Sequence, residues 1–176
     1  MNVLCCFGDS ITYGEFVSTE ETWTTLLRER FPDLRVRNRG VCGDTTRLAL
    51  ERWRRDVVDC SPDQLLVQFG HNDANHWDGF PRVSQRAFAA NLWEIVARAI
   101  RLGIADVALI EPHGEHRYAD VMWEVAQELD IPYITTAAVR PEHLLDGIHL
   151  NPEGHRVYAD LVGEEIAKWQ SPLLAL

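Results

Sequence analysis

Hydrophobic residues along this chain fall into two alternating patterns. Short runs rich in Val, Ile, Leu or Cys, bounded by Gly, Pro or Asp, predict strands at Val3–Phe7, Leu34–Asn38, Gln64–Phe69, Asp106–Ile110 and Pro132–Thr135. Between and after them, apolar positions recur at helical spacing over about Glu21–Arg30, Thr45–Asp59, Gln85–Leu102, His116–Glu128 and Pro152–Trp169. Ser18 with Glu21 three residues on forms a capping box, and Asp44 and Ser84 are N-cap candidates. Asn151-Pro152 supplies an N-cap followed by proline at the first helical position, and Gly103 stops the third helix. Strands in strict alternation with helices predict a parallel sheet covered by helices on both faces, because each parallel crossover needs a helix-sized connection.

Bulk properties narrow the class. The 176 residues suit one domain, 1–176, with no repeat, low-complexity stretch or linker, and a 46% hydrophobic share fills its core. A net charge of −10 argues against nucleic acid or an anionic membrane as the main partner. No apolar run approaches the roughly 18 residues of a membrane span, and the apolar start is broken at Gly8-Asp9, unlike a signal peptide. Cys5, Cys6, Cys42 and Cys60 lack CxxC spacing and are expected as small buried apolar residues in a reducing cytoplasm. Cys5 and Cys6, adjacent on a strand, should face opposite sides of the sheet.

In such a sheet, ligands bind outside the carboxyl ends of the strands. The loops to search therefore begin near Gly8, Arg39, Gly70, Glu111 and Thr136. They hold Gly8-Asp9-Ser10, then Gly40-Val41-Cys42-Gly43-Asp44, then Gly70-His71-Asn72-Asp73; Asp146-Gly147-Ile148-His149 precedes the last helix. Acyl transfer needs a nucleophile, a base, a group that orients the base, and donors for an oxyanion. Ser10 can be the nucleophile, His149 the base and Asp146 its orienting partner. The Gly43 N–H, the Asn72 side-chain amide and the Ser10 N–H can serve as donors. Each residue also has a plain structural reading: a turn for Ser10, a helix entry for Gly43, an Asx turn for Asn72-Asp73, a surface pair for Asp146 and His149. Their joint placement after strands favours the chemical reading. Ser18 and Ser84 read as caps, Ser61 as part of a proline turn and Ser171 as tail.

The blocks "FGDSIT", "NRGVCGDTT", "GHND" and "DGIHLNPEGH" resemble those of the SGNH hydrolases, also called the GDSL esterase/lipase family. They span residues 7 to 155, nearly the whole chain. The resemblance implies a flavodoxin-like, three-layer α/β/α fold with a parallel five-stranded sheet. It also implies nucleophile Ser10, oxyanion donors Gly43 and Asn72, and a triad completed by Asp146 and His149. Two positions depart from the family pattern: Ile11 stands where the family name has leucine, and His71 lies between the glycine and asparagine of the third block. The α/β-hydrolase alternative fails, because its G-x-S-x-G elbow requires glycine where this chain has Thr12.

The remaining histidines do not follow a zinc pattern, in spite of "HNDANH" and "HGEH", so no metal and no cofactor is expected. His113 is a candidate pocket residue or solvated loop, and His155 a structural one. Trp77 and Phe80, in the insertion Ala74–Val83, are candidate pocket walls or anchors of that loop, with "YGEFVSTEE" as the opposite wall. The sequence thus predicts a serine-dependent hydrolase of small or short-acyl esters. Acyltransferase, thioesterase or lysophospholipase, and carbohydrate acetylesterase activities are alternatives on the same site. A flavodoxin-like binding module would leave Ser10, Asn72, Asp146 and His149 together without a reason.

Overall fold

The computed structural model describes residues 2–170, so Ser171 lies outside the described residues. Five strands form one parallel sheet: β1 (Asn2–Gly8), β2 (Leu34–Gly40), β3 (Gln64–Gln68), and two later ones, β6 (Asp106–Ile110) and β7 (Tyr133–Ile134). Between β3 and β6 lies a small antiparallel hairpin of β4 (His76–Trp77) and β5 (Phe80–Pro81). The large sheet runs in the order β2-β1-β3-β6-β7, so the chain steps from β1 to one side and then returns to the other. That reversal opens a crevice at the carboxyl ends of β1 and β3. Register pairs Gly8 with Gly40 and Gln68, Gln68 with Ile110, and Ile110 with Ile134, so all five strands deliver their following loops to one edge.

The helices are α1 (Ser10–Tyr13), α2 (Trp23–Arg30), α3 (Thr46–Glu51), α4 (Trp53–Asp56), α5 (His71–Ala74), α6 (Gln85–Arg101), α7 (His116–Glu128) and α8 (Pro152–Trp169). Alternation along the strands sorts them into two cores. Cys5, Phe7, Leu65, Val67, Val107 and Leu109 face α3, α4, α6 and α7 through residues such as Trp53, Phe88 and Met122. Leu4, Cys6, Leu66, Ala108 and Ile110 face α2 and α8 through Trp23, Leu27, Tyr158 and Val162. Both faces are apolar, as a parallel sheet covered on each side requires. Cys5 and Cys6 fall on opposite faces, fully buried, as expected; Cys42 is exposed and Cys60 half-buried, which the sequence reading did not anticipate.

Three helix expectations need correction. Thr45–Asp59 is not one helix: it breaks at Arg52 into α3 and α4, followed by a 3-10 turn at Val58–Cys60. Asp44 is not the cap, since Thr45 Oγ1 accepts from Leu48 N (3.3 Å) while Asp44 binds Arg52 Nε (2.6 Å). The Arg52 guanidinium also reaches Asp56 (2.8 Å) and the carbonyls of Arg39 (2.9 Å) and Gly8 (2.8 Å). The break falls at the residue that makes all four of these contacts. Similarly, Ser18 and Glu21 box a 3-10 turn at Thr19–Glu21, and α2 starts later, capped by Thr22 Oγ1. Ser84 and Asn151 cap α6 and α8 as expected, accepting from Ala87 N (3.3 Å) and Gly154 N (2.9 Å).

Candidate active site

β1 ends at Gly8, and the chain turns at once into α1. Asp9 caps this short helix, its Oδ1 accepting from Ile11 N at 3.0 Å, and Ser10 is its first residue. Two contacts pin α1 to the sheet. Thr12 Oγ1 donates to Gln68 Oε1 (2.8 Å), and Asn38 Nδ2 donates to the Thr12 carbonyl (2.7 Å). Gly40 makes the close approach possible, because a Cβ there would run into the backbone of Thr12 and Tyr13. Ser10 is therefore held on a rigid, buried step, 5% exposed.

The segment before α8 brings the histidine to it. Asp146 Oδ1 accepts from the backbone N–H of Ile148 (3.0 Å) and His149 (2.8 Å), which curls residues 146–149 into a tight turn. Its other oxygen, Oδ2, lies 2.7 Å from His149 Nδ1. A carboxylate only accepts, so Nδ1 carries the proton and Nε2 presents its lone pair. Ser10 Oγ is 3.0 Å from that Nε2 and donates to it. The His149 N–H and side chain hold the Asp146 carboxyl down at about 2, so it stays ionised through the range in which imidazole titrates.

The donor loops come from β2 and β3. Gly43 adopts φ of 74°, a left-handed conformation that glycine tolerates, and its carbonyl accepts from Arg82 Nη1 at 3.0 Å. Asn72 lies in α5, and its Nδ2 is buried with no hydrogen-bond partner among the described residues. An unpaired buried amide donor is costly, and Asn72 Nδ2 is free to serve an acceptor that enters the site. The neighbouring Asp73 accepts from Thr46 N (3.0 Å) and Oγ1, tying α5 to the start of α3 just beyond the Gly43 turn. Burial pushes the Asp73 carboxyl up to about 6, while the Thr46 donors pull it down.

Of the expected pocket residues, His113 is placed differently from either sequence reading. It is buried, and its Nε2 donates to the Ile148 carbonyl at 2.7 Å, so it anchors the His149 turn. His71 Nε2 in turn donates to the His113 carbonyl (2.9 Å), and the two rings lie 4.5 Å apart. Burial holds His71 neutral, its pKa lowered to about 3. Trp77 and Phe80 pair across the β4–β5 hairpin and are 80% and 74% exposed, so they neither anchor that loop to the core nor wall an enclosed pocket. His155 is structural as expected: buried, with Nδ1 accepting from Trp23 N (3.1 Å).

Two neighbours of His149 were not singled out from sequence. Glu15 Oε2 lies 3.2 Å from Nε2, and the Phe16 ring stands edge-on to the imidazole with centroids 5.0 Å apart. Both belong to the stretch expected as an outer wall, but no local pattern says which of its residues turn inward. Asp9, the cap of α1, was also not singled out, and its position directly before Ser10 was the available signal.

A parallel sheet between two helical layers, with a serine, an imidazole and a carboxylate aligned at its carboxyl edge, defines a serine ester hydrolase of the three-layer α/β/α class. The sequence matches the GDSL-like lipase/acylhydrolase family over residues 6–157, and the chain belongs to that family. An arylesterase of Vibrio mimicus is 28% identical over 182 residues, covering 94% of this chain and 88% of its own. An acetylxylan esterase of Geobacillus stearothermophilus is 24% identical over 168 residues, covering 80% and 77% respectively. The crystal structure of the lipase/acylhydrolase from Enterococcus faecalis matches with a TM-score of 0.82 at 27% identity, covering 99% of this chain and all of the other.

Proposed function

We propose that the chain hydrolyses small, short-acyl carboxylic esters through an acyl-enzyme on Ser10. The observation that carries this reading is the file Ser10 Oγ, His149 Nε2, His149 Nδ1, Asp146 Oδ2, with links of 3.0 and 2.7 Å. As Ser10 Oγ attacks the ester carbonyl, its proton passes to His149 Nε2, and Asp146 stabilises the imidazolium. The charge that develops on the carbonyl oxygen is received by the N–H groups of Ser10 and Gly43 and by Asn72 Nδ2. Collapse expels the alcohol, which takes the proton from Nε2. Water then repeats the sequence and frees the acid.

The substrate size follows from the open surroundings: Trp77 and Phe80 stand in solvent and enclose no long acyl chain. The relatives named for aryl esters and acetylated xylan support small ester substrates. The four free cysteines support the reducing cytoplasm as its compartment. Specificity constants on p-nitrophenyl esters from acetyl to palmitoyl test the reading, with Ser10→Ala as control. The rate should peak at the short end and vanish in Ser10→Ala. A clear preference for long chains would replace it with a lipase or thioesterase role.

A further inference from the structure

The chain leaving α1 turns back over the imidazole. Glu15 N–H donates to the Ser10 carbonyl at 3.1 Å, and Phe16 follows with φ of 72°. That conformation is an outlier for a bulky side chain, and such strain persists where the surroundings enforce it, often at functional sites. Here it accompanies a carboxylate, Glu15 Oε2, 3.2 Å from His149 Nε2, on a side chain only 32% exposed.

Nε2 is the atom that must hand a proton to the departing alcohol. Once protonated, it faces two acceptors, the leaving oxygen and Glu15 Oε2. A carboxylate only accepts, and a charge-assisted hydrogen bond is strong, so Glu15 competes for the proton that the leaving oxygen needs. An alcohol carrying a second hydroxyl beside the ester oxygen removes the competition. That hydroxyl donates to Glu15, and the Nε2 proton is left to the leaving oxygen. A phosphate or carboxylate in the same place would instead be repelled by Glu15. We infer that Glu15 selects the alcohol half of the ester, favouring neutral polyhydroxy alcohols with a vicinal hydroxyl over simple alkanols and over anionic alcohols. The proton balance closes within the step: Ser10 Oγ gives its proton to Nε2, Nε2 gives it to the oxygen as the C–O bond breaks, and the second hydroxyl keeps its own.

This inference rests on the serine-esterase reading, and the test separates the two. Acetate release from glycerol 1-monoacetate, ethyl acetate and 2-acetoxyethyl phosphate, which carries a phosphate in place of the vicinal hydroxyl, is followed by pH-stat in wild type, Glu15→Gln and Ser10→Ala. Wild type should favour the glycerol ester over ethyl acetate in kcat/KM. Glu15→Gln should shrink that ratio by about tenfold, the worth of one charged hydrogen bond, and raise the phosphate ester relative to ethyl acetate. An unmoved ratio overturns the inference, including the case in which all three esters slow in parallel because Glu15 merely orients the imidazole. If Ser10→Ala is dead while the ratio stays put, only the role of Glu15 falls. If Ser10→Ala turns over all three like wild type, the serine reading falls with it.

Discussion

Asn72 Nδ2, buried and unpartnered among the described residues, gains its hydrogen bond only when an oxyanion forms, on the mechanism proposed for Ser10. Removing such a donor typically costs about 10² to 10³ in turnover, because the bond is made in the transition state. Asn72→Ala should therefore lower kcat by that factor with KM nearly unchanged and a wild-type thermal melt. A raised KM with kcat intact would instead mark Asn72 as a uniform binder of substrate. At this scale the sequence was most legible where a residue follows a strand within a short block. Ser10, Gly43 and Asn72 were candidates for that reason, and Asp146 and His149 for their spacing just before the last helix. Glu15 could not be named, because its contact with His149 also needs the turn before α8 to bring the imidazole over from a distant part of the chain. His113 was legible as a loop residue but not as a buried one, since its burial depends on His71 and Ile148 arriving from other elements.

Among the elements, α1 was missed, as four residues show no helical period, and its cap is a buried carboxyl. Asp9 is fully buried; its Oδ2 has no hydrogen-bond partner among the described residues and lies 3.9 Å from His71 Nδ1. Burial pushes the Asp9 carboxyl from 3.8 up to about 7, against the pull of the Ile11 N–H. Between those values the folded chain holds a proton that the unfolded chain has released. The stability contributed by Asp9 is thus complete below about pH 4 and is lost as pH rises through about 7. Buried neutral His71 and His155, lowered to about 3 and about 4, act in the opposite sense, their contribution being lost as pH falls through those values. A difference measurement isolates Asp9. Asp9→Asn keeps an oxygen for Ile11 N–H, so its melting temperature relative to wild type should climb between about pH 4 and pH 7 and level off above, by at most a few kcal/mol in stability. A constant difference would show that Asp9 does not titrate in the folded protein. The broken Thr45–Asp59 helix teaches the same lesson in another form. Its apolar spacing was legible, but the break falls at Arg52, whose acceptors on β1 and β2 only the folded sheet supplies.

For the whole molecule, the alternation of short apolar runs and helical stretches was enough to predict a parallel sheet with two helical covers, because a parallel crossover has few other solutions. Strand order was not readable from periodicity, which does not say which strands are neighbours. The sheet places the β1 and β3 loops across the reversal in strand order, and the turn before α8 brings His149 to the first of them. Ser10 as nucleophile is what this architecture would prepare, and the proposed chemistry depends on it. The most direct measurement is the mass of the protein and its peptides after incubation with an organophosphonate. The account predicts one adduct, on the peptide bearing Ser10, appearing in step with loss of esterase activity and absent from an inactive Ser10→Ala variant. Labelling at another serine, or an unlabelled protein that still hydrolyses esters after Ser10→Ala, would contradict it.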